Sequence, residues 1–153
     1  MKKSIAITVL VVFAFMHLSA HKFAPTIVGV WKLTKSEALD NIKNSTGYAS
    51  MPEESIKKFE AHSDLLMQVC EYNFQPENKL VYMDVEQSFI GVSLPVERHA
   101  VWELKNDVIT IKETDRPYER QMKIVTLNDS ALIVNPIIKG EVSKAKLVFK
   151  LKR

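Results

Sequence analysis

The run Thr26-Ile27-Val28-Gly29-Val30-Trp31-Lys32-Leu33-Thr34 decides how the rest of the chain is read. Its β-branched, aliphatic and aromatic residues predict a strand over Ile27–Thr34. Strand side chains alternate between faces, so Gly29, Trp31 and Leu33 share one side. A tryptophan on that side sets which face turns inward.

Beyond this strand the period changes once. From Ser36 to Ser63 the apolar residues fall at helical spacing, with Leu39 and Ile42 three apart and Ile56 and Phe59 on one face. Gly47 breaks the stretch, and Ser50-Met51-Pro52-Glu53 has the form of a capping box with proline in the first turn. Two short helices joined by a turn are expected. After Asp64 the pattern is strand after strand: Leu65–Phe74, Lys79–Gln87, His99–Lys105, Val108–Glu113, Tyr118–Leu127, Ser130–Asn135 and Ala145–Arg153. Gln75-Pro76-Glu77-Asn78, Asn106-Asp107 and Asn128-Asp129 supply the turns. About eight strands, mostly neighbours in sequence, predict an all-β, antiparallel up-and-down barrel with a helix-turn-helix between the first and second strands. The absence of alternating strands and helices argues against a parallel sheet.

Residues 1–20 read as an export signal rather than as structure. Lys2 and Lys3 precede an apolar stretch from Ile5 to Met16, and Leu18-Ser19-Ala20 offers a cleavage site before His21. The stretch is short for a membrane span. His21 stands where a lipid-anchored protein would need cysteine, so residues 21–153 are expected as one unanchored domain, periplasmic or secreted. Removing Lys2 and Lys3 takes the basic residues from 21 to 19 against 18 acidic ones, a net charge of +1. That balance gives no reason to expect nucleic acid. A single cysteine, Cys70, excludes an internal disulfide. Its apolar neighbours mark it as a buried small hydrophobe.

Gly29-Val30-Trp31, behind an export signal and ahead of a strand-rich tract of barrel length, resembles the opening motif of the lipocalin-like (calycin) barrels. The helical insert resembles the helix-turn-helix lid of the cytosolic fatty-acid-binding proteins and also the lipocalin-like domains of exported bacterial proteins, and the chain lacks the disulfide of secreted animal lipocalins. The resemblance implies that Trp31 plugs the closed end of a barrel. It also implies a last-strand cation against the indole, and Arg153 has the parity for that role. It further implies room for one small hydrophobic ligand, lipid or fatty-acid-like, under a helical cover.

Candidate ligand contacts follow from the faces. Tyr118 and Arg120 share a side with Met122 and Ile124, and such a pair could hold a carboxylate, as fatty-acid carriers do. Phe59 and Met67, with Met51, Ile56 and Leu65, could line a portal. Arg98 and Trp102 invite a weaker form of the same reading. Tyr82, Asp84 and Glu86 alternate with Val81, Met83 and Val85 and are expected to point outward. No histidine has metal-ligand spacing, and no nucleophile elbow or phosphate loop occurs, so neither catalysis, metal nor cofactor is expected. A binding protein for a small hydrophobic molecule is the first reading. A non-enzymatic protein-interaction or inhibitor module on a solid-cored barrel is the alternative.

Overall fold

The computed structural model describes residues 26–87 and 91–153, and the expected export signal lies outside them. Strand β1 (Gly29–Ser36) leads into three helices, α1 (Glu37–Lys43), α2 (Thr46–Ala49) and α3 (Glu53–Val69). The chain returns through β2 (Glu71–Phe74), β3 (Lys79–Gln87), β4 (Ser93–Lys105), β5 (Val108–Glu113), β6 (Glu119–Leu127), β7 (Ala131–Ile138), β8 (Glu141–Val142) and β9 (Leu147–Leu151). Every pairing is antiparallel, and the ring closes through β6 with β7, β7 with β9, and β9 with β1. Eight strands thus make a closed up-and-down barrel, and the two-residue β8 hangs on the end of β7. Closure leaves the ring without an unpaired edge.

The expected two-helix insert is three helices, and the last is longer than expected. Residues 65–69, read as the start of a strand, complete α3, because Leu66 and Met67 continue the apolar face of Phe59 and Ser63 at helical spacing onto the core. Exposed Glu53–Lys57 and Glu54–Lys58 pairs at 2.6 and 2.7 Å lace the first turns of α3. Pro52 occupies its N-cap position, whereas Ser50 closes α2 by donating from Oγ to Thr46 O at 3.0 Å. The expected capping box is therefore not formed.

The two Asn-Asp turns, alike in sequence, differ in backbone. Asn106 and Asp107 both have positive φ, 51° and 60°, as a tight hairpin between twisted strands demands. In the other turn the Asn128 side chain accepts from the amides of Ser130 and Ala131 at 3.0 and 2.9 Å, without left-handed backbone.

The barrel has two unlike ends. At the end where β1 begins, Trp31 is 1% exposed and donates from Nε1 to Ile27 O at 2.7 Å. Gly29 has φ 147°, and a Cβ there would lie 2.9 Å from Leu151 Cδ1. The expected cation is not against the indole. Leu151 pairs with Trp31, β9 ends there, and Arg153 lies exposed beyond the last hydrogen-bonded rung. Aromatic rings fill the centre: Tyr72 stacks on Tyr82 at 5.1 Å and meets Phe149 edge-on at 5.2 Å, while Phe74 meets Trp102 at 5.6 Å. The helices leave and rejoin the barrel at the other end, which forms its mouth.

Candidate functional site

The mouth is built from the second half of β3, the first half of β4, the end of β5 and the start of β6. Register explains what gathers there. Trp31 pairs with Tyr72, Tyr72 with Tyr82, and Tyr82 with Arg98. Paired residues share a face, so Tyr82 points inward and is 1% exposed. Asp84 and Glu86 follow it at a period of two on the inner side. The expectation that these three residues face outward is thereby overturned. Polar character signalled the mouth of the barrel, where the inner wall meets water, rather than the outer wall.

Arg120 lies at the centre of this layer. Its Cζ sits 4.4 Å from the ring centroid of Tyr82 and 5.0 Å from that of Tyr72. Two of its nitrogens, Nε and Nη2, are buried with no hydrogen-bond partner, although the residue as a whole keeps some accessible surface. Burial raises the pKa of both Tyr72 and Tyr82, so both rings stay neutral and present their faces to the cation.

The other arginines of the mouth each pair with a carboxylate, although Arg98 Nε is itself buried without a hydrogen-bond partner. Arg98 pairs with Glu86 at 2.5 Å. Arg116 grips Glu113 with Nε and Nη2, and the Tyr82 hydroxyl donates to the same carboxylate. The Arg116 hydrogen bond holds Glu113 below the usual carboxylate range; burial opposes this and the Tyr82 hydroxyl assists it. Asp84, half-buried, accepts from the amide of Val85 at 2.9 Å and makes no ion pair among the described residues.

The named candidates fall in different places. Arg120 is on the inner wall, with Met122 buried below it. Tyr118 precedes β6, is 44% exposed, and lies under Arg116 at 4.9 Å; the rings against Arg120 are Tyr72 and Tyr82 instead. Phe59 is half-buried on α3 and meets Tyr48 edge-on at 5.6 Å. Met67 packs on the barrel core from α3, and Met51 is exposed. Helix α3 lies against β3, β4 and β1, and His62 Nδ1 is 2.9 Å from Ser93 Oγ at the start of β4. Cys70 is buried, and that burial pushes its thiol up to about 12, which makes it an inert hydrophobe. Among the described residues no group of three or more His, Cys, Asp or Glu could hold a metal ion.

A closed antiparallel barrel with a helical insert after its first strand defines a class of small β-barrel proteins. The lipocalin-like domain family matches residues 27–134, and the chain belongs to that family. Among solved structures it is similar to a lipocalin-like protein from Bacteroides uniformis, at 16% identity and TM-score 0.46, over 82% of this chain and 98% of that one. It is also similar to an uncharacterized protein from Bacteroides eggerthii, at 15% identity and TM-score 0.47, over 83% of this chain and 100% of that one. No curated protein matches.

Proposed function

We propose that this chain is a non-enzymatic binding protein that holds a small, largely apolar molecule at the mouth of the barrel, with the polar end of that molecule on Arg120. The observation that carries the reading is the pair of buried, unpartnered Arg120 nitrogens between two tyrosine faces. A cation–π contact offsets about 2 kcal/mol of the cost of burying a cation. Each buried donor without an acceptor still costs about 1–3 kcal/mol, which a ligand oxygen would recover. The apolar part of the ligand would lie along the upper inner wall, where Leu94 and Ile138 are 51% and 61% exposed.

The ring-filled centre confines such a ligand to the mouth. The same filling supports the second reading, a solid-cored module whose mouth loops meet a protein partner. The signal-like residues 1–20 support export and action outside the cytoplasm, which N-terminal sequencing of the protein from fractionated cells tests.

Native mass spectrometry of the exported protein, purified without detergent, tests the binding reading. A co-purifying small mass, absent from Arg120→Met at unchanged circular dichroism, is expected. No bound mass and no saturable binding of acyl probes would favour the interaction module instead.

A further inference from the structure

The mouth holds three arginines and three carboxylates, and two of each pair with one another: Arg98 with Glu86 and Arg116 with Glu113. What remains among the described residues is Arg120, which has two buried donor nitrogens and no carboxylate partner, and Asp84, whose carboxylate meets only its neighbour's amide; Arg98 keeps one buried nitrogen, Nε, without a partner. Arg120 and Asp84 belong to one place. Asp84 lies two residues beyond Tyr82 on β3, hence one step of about 6.8 Å further towards the mouth on the same face. Tyr82 is the ring on which Arg120 rests. The negative charge of Asp84 is felt by Arg120, by both tyrosines and by the Cys70 thiol.

A bare carboxylate is a poor match for this arrangement. It would satisfy Arg120 and place a second negative charge beside Asp84, a like-charge juxtaposition that binding sites use to reject ligands. A group carrying an N–H beside its oxygen satisfies both residues at once. Its oxygen accepts from Arg120 and its N–H donates to Asp84, and the net charge of the mouth is unchanged.

Resting on the binding reading above, we infer that Asp84 sets the head-group specificity of this site. The ligand's polar end is a donor–acceptor group of zero net charge, an amide or an ammonium–carboxylate zwitterion, in preference to a simple acid.

The test is isothermal titration at pH 7 of the full mature chain with a medium-chain fatty acid and with the primary amide of the same chain length. The native protein is expected to bind the amide about tenfold more tightly than the acid. Asp84→Asn keeps the shape and the acceptor for the Val85 amide but removes the charge. It is expected to erase that preference by strengthening the acid. An acid bound as tightly as the amide by the native protein, or a ratio that Asp84→Asn leaves unchanged, overturns the inference while the binding reading stands. Failure of both probes to bind overturns the two together.

Discussion

Arg120 stands with its guanidinium carbon 4.4 Å from the ring centroid of Tyr82, so a cation takes the place of the next apolar layer of the barrel. Tyr82 serves two purposes there. Its face carries the charge and its hydroxyl donates to Glu113. The two purposes separate by substitution. Tyr82→Phe keeps the face and is expected to cost about 1 kcal/mol. Tyr82→Leu also removes the cation–π contact and the stacking on Tyr72, and is expected to cost about 3 kcal/mol. Urea denaturation of the two variants measures the difference.

Glu113 gives the fold an acid limit. Its side chain is fully buried, and Arg116, with help from Tyr82, keeps its pKa below the ordinary value of about 4.3. A lowered folded pKa means that the stabilisation is complete above the ordinary value and is lost as pH falls through the lowered one. Stability should therefore decline below about pH 4. Glu113→Gln should be less stable at pH 7 but show a shallower decline. Equal acid slopes in the two proteins would contradict this assignment.

At the closed end, two substitutions should behave in opposite ways. Gly29→Ala introduces a side chain at φ 147°, with its Cβ 2.9 Å from Leu151 Cδ1. The Leu151 side chain can swing aside, but the backbone strain remains, so a loss of about 1–3 kcal/mol is expected. Arg153→Ala removes an exposed residue beyond β9 and should stay within about 0.5 kcal/mol of the native protein. Thermal melts of both variants check the pair.

The two Asn-Asp turns offer an internal control. Asp107→Gly places glycine where φ is already 60°, and a gain of about 0.5–1 kcal/mol is expected. Asp129→Gly, where φ is not positive, should be neutral or cost about 0.5 kcal/mol through the greater freedom of the unfolded chain. Equal effects at both positions would mean that the turns are alike after all.

The barrel was legible because its strands alternate and its hairpins are short. The inward face of Trp31 and the shared face of Arg120 with Met122 both follow from a period of two. Tyr72, Tyr82 and Asp84 were not legible as a site, because a face assigned within one strand says nothing about the next until register is known. The pairing of Trp31 with Tyr72 and of Tyr72 with Tyr82 was the missing step. Along β3 either face could have been the inner one: Val81, Met83 and Val85 looked the better core until Tyr82 was tied to the tryptophan layer. The cation for Trp31 failed for a different reason. Parity chose Arg153 over Lys152, but β9 ends at Leu151 and Arg153 lies exposed beyond it, while Lys152 pairs with Glu71. Helix α3 overran its expected end because Leu65–Val69 is apolar at both periods, and only the packing of Leu66 and Met67 onto the barrel decides between them.

The side-chain Nε–Hε signal of Arg120, followed by nitrogen-edited NMR in 15N-arginine-labelled protein during titration with the acyl amide, tests the account at its centre. Arg120 should show the largest arginine shift, saturating with the ligand, while Arg153 stays in place. A saturating ligand that moves other arginines and leaves Arg120 unchanged would contradict a site built on the cation between Tyr72 and Tyr82.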